Sequence, residues 1–95
     1  EVLVLNLEEG FGPRYHAAAA ALRAAGLAAE VFPDRKKLAQ QFSYAEKKGV
    51  PLALIQGGAE AERGVIVVKD LGNRESLEAK TLEEAVRLAK ERLGR

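Results

Sequence analysis

Ninety-five residues carry 15 Lys and Arg against 14 Asp and Glu, and the resulting net charge of +1 argues neither for nor against a polyanionic partner. There is no cysteine, which excludes disulfides and thiolate metal sites, and the one histidine cannot build a histidine-based metal cluster. No apolar run approaches the roughly 18 residues of a membrane span, and nothing resembles a signal peptide, so a cytoplasmic protein without a membrane partner is expected. With 47% apolar residues the chain has the means to build one domain over residues 1–95. Without an initiator methionine, or any other, it reads as a piece excised from a longer protein or engineered.

Val2-Leu3-Val4-Leu5 is a short continuous apolar run, the pattern of a strand covered on both faces. Glu8 to Gly12 forms a loop, and Pro13 suits the first turn of a helix, where its missing N–H costs nothing. Alanine-rich His16–Ala25 is helical by propensity, with Tyr15, Ala18, Ala19 and Leu22 as the buried stripe and Gly26 as the stop. Ala29–Phe32 is a second strand, ended by Pro33.

Asp34 is placed to N-cap a helix spanning Arg35–Lys48, with Leu38, Phe42 and Ala45 facing inward and Gly49 stopping it. Leu52–Ile55 and Val65–Val68 are the third and fourth strands, joined by a loop from Gln56 to Gly64. Gly72-Asn73 turns the chain into a short edge strand, Glu75–Ala79. Thr81-x-x-Glu84 is a capping box opening a last helix, with Leu82, Ala85, Val86, Ala89 and Leu93 on one side.

This alternation predicts an α/β sandwich with a parallel core and an antiparallel hairpin at one edge, because so short a connection cannot cross over the sheet. With strand order 2-1-3-4-5, the chain reverses direction between the first and third strands, and ligands favour the crevice at the carboxyl ends of such a pair. Two loops would converge there. One brings Arg14 and Tyr15; the other brings Glu60 and free glycine amides, Gly57 among them.

Gly10-x-Gly12 lacks the third glycine of a dinucleotide loop, and Glu8-Glu9 would repel a pyrophosphate, so a plain strand-to-helix turn is the better reading and no cofactor is expected. His16 has no neighbouring nucleophile or acid for a relay. Nothing orients Glu60 and Glu62 as an acid/base pair. Lys37, Gln41, Tyr44 and Lys48 fall at steps of four, three and four and share a helix face. Two cations, an amide and an aromatic ring suit phosphates and unstacked bases, although an ordinary solvated face has the same look.

Several stretches carry a resemblance: Val2-Leu3-Val4-Leu5 with its loop; Ala21-Leu22-Arg23-Ala24-Ala25-Gly26-Leu27; Arg35-Lys36-Lys37-Leu38-Ala39-Gln40-Gln41-Phe42-Ser43-Tyr44-Ala45; Lys48-Gly49-Val50-Pro51; Ile55-x-Gly57-x-x-Glu60; and Gly64-Val65-x-Val67-x-Lys69-Asp70-Leu71. In this order they resemble the anticodon-binding domain of class II aminoacyl-tRNA synthetases, most of all the C-terminal domain of the histidyl enzyme. The resemblance implies a three-layer α/β sandwich, a five-stranded mixed sheet with three helices, and no catalytic activity in the isolated domain. It implies a tRNA anticodon loop as partner, together with the catalytic domain of a parent ligase and a homodimer formed through that parent.

Family positions touching the anticodon map onto Glu60 and Lys69, and more loosely onto Gln41 and the loop after the first strand. The implied roles are Glu60 accepting from a base amine, Lys69 and Lys37 neutralising phosphates, and Tyr44 or Tyr15 offering a stacking face. Where the family often has an acidic pair after the loop glycine, this chain has Gly58-Ala59. Two rival readings stand beside this one. The first is a module, natural or designed, that kept the fold for protein interaction or dimerisation without reading RNA; the second is a small flavodoxin-like nucleotide binder.

Overall fold

The computed structural model describes residues 1–95. The strands are β1 (Val2–Val4), β2 (Ala29–Val31), β3 (Leu52–Ile55), β4 (Ile66–Asp70) and β5 (Glu75–Ala79). The helices are α1 (Gly12–Ala24), α2 (Leu38–Lys48), α3 (Gly58–Arg63) and α4 (Leu82–Arg92). One five-stranded sheet has the order β2-β1-β3-β4-β5, as expected; β2 and β3 run parallel to β1, and both later pairings are antiparallel.

Side chains alternate across a strand, so each strand feeds two cores. Val2, Val4, Leu52, Leu54 and Val68 point to the side covered by α1 and α4, where thirteen buried residues interlock. The α1 stripe there is the predicted Tyr15, Ala18, Ala19 and Leu22. Leu3, Leu5 and Ala53 point the other way, under α2, in a buried cluster of only four residues. No residue of β4 or β5 joins that second cluster.

The glycine stops behave as read: Gly26 takes φ +89°, and the Leu27 N–H reaches back to the Leu22 carbonyl at 3.0 Å, closing α1. The Thr81 hydroxyl accepts from the Glu84 N–H at 3.1 Å and opens α4. Two expectations need correction. Asp34 does not cap α2, which starts three residues later than predicted with Lys37 at its N-cap and no side-chain cap. The linker after β3 is not plain loop but contains the six-residue α3, a fourth helix. Both differences have local causes that lie in the candidate site.

Candidate nucleic-acid interface

The loops after β1 and β3 do converge at the carboxyl ends of those strands, and side chains lock them there. The Tyr15 hydroxyl accepts from the Leu7 and Glu8 N–H groups at 3.4 and 3.0 Å, and donates to the Gln56 carbonyl at 2.9 Å. Tyr15 is fully buried, so the expected stacking face is unavailable. Its ring belongs to the core, and its hydroxyl satisfies loop backbone groups, the buried Gln56 carbonyl among them.

The glycine amides expected to be free are occupied. Gly57 N–H donates to Glu60 Oε1 at 2.8 Å, and Gly58 N–H donates to Glu8 Oε2 at 3.1 Å. A Cβ on Gly57 would stand 2.8 Å from the Glu60 carboxylate, so a larger residue there would push that side chain aside. The Glu60 carboxylate folded back on the residue three before it is half of a capping box, which is why α3 forms where a loop was expected. Two carboxylates sit on these amides, so the turn is closed to a phosphate. That geometry disposes of a phosphate-cradling loop here.

On α2, the face read from spacing as Lys37, Gln41, Tyr44 and Lys48 is not one open surface. Gln41 is fully buried. Its Oε1 accepts from Asn6 N–H, and its Nε2 donates to the Asn6 and Lys36 carbonyls, each at 2.8 Å. The amide pins the chain before α2 to the loop after β1, which sets the helix start in place of an Asp34 cap. Tyr44 is half-buried, meets the Phe32 ring edge-on at 5.1 Å and donates to Glu30 at 3.2 Å. Lys48 Nζ lies 5.5 Å from the Tyr44 ring centroid. Lys37 and Lys48 are exposed at opposite ends of the helix, about 16 Å apart at the α-helical rise.

Conversely Leu38, expected to face inward, is 42% exposed, because the first turn of α2 lacks sheet beneath it. Phe42 packs half-buried against the small cluster. Lys69 pairs with Ala53 across the ladder and therefore faces the α2 side, with Nζ 5.6 Å from the Phe42 ring centroid. Val67, Ser76 and Glu78 share that side by register, outside the α2 cluster. Lys69 thus lies beside an uncovered strip of sheet, while Glu60 lies past the far end of the same β3–β4 hairpin.

Three features went unread in the sequence. Arg35 is paired with Glu9 at 3.2 Å across the crevice. Arg63 is paired with Glu78 at the sheet edge. Asp70 is buried at the β4–β5 turn, held by Asn73 and by Arg92 of α4. Hydrogen bonds from the Asn73 side chain and backbone, with Arg92 alongside, hold the Asp70 carboxyl below its ordinary range despite burial. Glu75 first, and Asp70 after it, raise the Arg92 guanidinium. This network is structural and lies on the α4 side. Arg14 is exposed, with its guanidinium 4.4 Å from the Phe11 ring centroid.

Comparison with known proteins agrees with the fold and extends it. The chain is 43% identical over 75 residues to the histidine–tRNA ligase of Rhodopirellula baltica, covering 79% of this chain and 17% of that one. It is 55% identical over 58 residues to the corresponding ligase of Paracoccus denitrificans, covering 60% and 12%. The crystal structure of histidyl-tRNA synthetase from Nostoc sp. PCC 7120 superposes with a TM-score of 0.89 at 32% identity, over 97% of this chain and 22% of that one. The RNA binding domain of threonyl-tRNA synthetase from Cryptosporidium parvum gives a TM-score of 0.81 over 96% of this chain; at 12% identity that likeness speaks for the fold only. The chain thus spans less than a quarter of the full-length ligases. Residues 1–92 match the anticodon binding domain family, and the chain belongs to it.

Proposed function

We propose that this chain is one domain of a histidine–tRNA ligase and binds the anticodon loop of a tRNA, with no chemistry of its own. The observation that carries this reading is the family match over residues 1–92, in a chain that spans only 12–22% of the histidine–tRNA ligases it resembles. The ligase activity, the catalytic domain it would work beside and a dimer formed through the parent follow from the same similarity. A cytoplasmic location goes with it and suits a cysteine-free chain.

In this reading the RNA lies along the α2 side of the sheet. Lys69 supplies a cation beside the uncovered strip, and Lys37 a second at the start of α2; both neutralise phosphates. Glu60 keeps one carboxylate oxygen on Gly57 N–H and turns the other to a base amine. Lys48 extends the basic track along α2, and Arg14 stands outside it. Gln41 and Tyr15 act from beneath, holding the loops in place.

Titrating the chain with an anticodon stem-loop at several salt concentrations tests this. Wild-type affinity should fall with salt, since phosphate contacts release counterions. Lys69→Ala should weaken binding to every sequence and reduce the salt slope by about one, while Glu60→Ala should relax discrimination at one anticodon position. Weak, salt-insensitive and sequence-blind binding, unchanged in both variants, would overturn the proposal.

A further inference from the structure

The run Arg35-Lys36-Lys37 leads into α2 on the side proposed for the RNA. In every ion pair of the chain the cation is an arginine, so Lys36 and Lys37 have no carboxylate paired with them. Arg35 has one: its Nη1 donates to Glu9 Oε2 at 3.2 Å, the single hydrogen bond between the two side chains. Those side chains are 52% and 87% exposed, and an ion pair so open to water and salt is weak.

The backbone beneath the pair is nonetheless fixed. β1 and β2 are parallel neighbours, and the two segments leaving them are tied where Asn6 Nδ2 donates to the Phe32 carbonyl at 3.2 Å. Glu9 and Arg35 each stand three residues past that tie, so the ion pair is a second rung between the same segments. On one segment the Glu8 N–H is held by the Tyr15 hydroxyl; on the other the Lys36 carbonyl is held by Gln41 Nε2. Rotation of two side chains is enough to open the rung.

A phosphate is the better partner for this guanidinium. It can accept two of the guanidinium N–H groups at once, whereas Glu9 accepts one, and its capture releases a counterion from the RNA. We infer that Glu9 stands in for an RNA phosphate: it holds Arg35 in the free chain, and exchange onto a phosphate makes Arg35 a further RNA contact. The inference rests on the anticodon-binding reading.

The test combines stem-loop affinities with the NMR signal of Arg35 Nε–H in the isotope-labelled chain. Affinities are compared at about 0.15 M salt, where charges more than about 8 Å apart are largely screened. Glu9, Asp34 and Arg35 are all exposed, so their variants keep the fold. Glu9→Gln frees Arg35 beforehand and should raise affinity about two- to fivefold, the worth of an exposed pair. Arg35→Ala should lower affinity and reduce the salt slope by about one; in that background Glu9→Gln should gain nothing. Asp34→Asn removes an acid next to Arg35 that forms no ion pair, and should gain less than Glu9→Gln. The Arg35 signals of wild type and Glu9→Gln should differ in the free chains and coincide once the stem-loop is bound.

No gain from Glu9→Gln overturns the exchange. A gain that survives Arg35→Ala, or that Asp34→Asn matches, is general repulsion and overturns it too. So do bound-state Arg35 signals that stay apart, since Glu9 then remains on Arg35 in the complex. Each of these results leaves the anticodon reading standing, because the stem-loop still binds. Absence of stem-loop binding in wild type and every variant overturns that reading, and the exchange with it.

Discussion

On the α1 and α4 side of the sheet thirteen buried residues interlock across four strands; on the α2 side four do, none of them from β4 or β5. The difference follows from helix count, because two helices cover one face and one covers the other. Stability is concentrated in the thick face, where apolar area leaves water on both sides of each contact. On the thin face a cation such as Lys69 stands beside an apolar ring with no second helix over it. A sheet that packs one face fully and the other partly separates what holds the domain together from what it presents.

The comparison can be broken by mutation. Leu22→Ala, in the thick face, should cost about 2–5 kcal/mol in a denaturant titration, whereas Phe42→Ala, half-buried on the thin face, should cost well under half as much. Equal losses would mean that Phe42 is packed on the thin face as tightly as Leu22 is on the thick one. Gln41→Leu keeps the side chain's size but leaves Asn6 and Lys36 backbone groups unpaired, and should cost about 2–3 kcal/mol and loosen the α2 start. Hydrogen exchange at Asn6 would report that loosening directly.

Asp70→Asn should lower stability at pH 7 by about 1–2 kcal/mol, the worth of charge-assisted hydrogen bonds to a buried carboxylate. Because the folded-state pKa of Asp70 is depressed, its stabilisation is full above the unfolded value of about 3.9. It is lost as pH falls through the lower folded value, so wild type and variant should converge in acid. A difference that persisted in acid strong enough to protonate Asp70 in the folded chain would show that packing, not charge, is at stake there. Smallest on stability is Lys69→Ala, under about 1 kcal/mol, although its effect on RNA affinity should exceed that of either thick-face substitution that still folds.

Much of this architecture was legible because its signals are local. Apolar runs at Val2–Leu5 and Leu52–Ile55, the Tyr15/Ala18/Ala19/Leu22 stripe, the Gly26 and Gly49 stops and the Thr81 cap each act within one turn or strand, so period and capping chemistry identify them. Tyr15 shows where such reading divides. Its spacing put it in the buried stripe and its place after β1 put it in the crevice, and only the fold shows that the ring is buried while the hydroxyl serves the crevice backbone.

The site residues were less legible for the same reason. Helical spacing placed Gln41 with Lys37, Tyr44 and Lys48, but a spacing says nothing of what lies across from it. Opposite Gln41 is the backbone of Asn6, 35 residues away in the chain, whose N–H and carbonyl its amide satisfies. The Gly57-x-x-Glu60 pattern was visible, yet that Glu60 would fold back on Gly57 while Glu8 closed over Gly58 depended on two loops meeting.

The sequence by itself determined the order and kind of the main elements, because hydrophobic period and turn chemistry act locally; the 2-1-3-4-5 strand order was assumed there and is what the sheet shows. It also carried a family resemblance that the comparisons bear out over residues 1–92. Tertiary structure alone decided which polar side chains are buried partners and which are free. Burial and hydrogen-bond pairing are relations between segments far apart in the chain, and no local pattern encodes the far side of a contact.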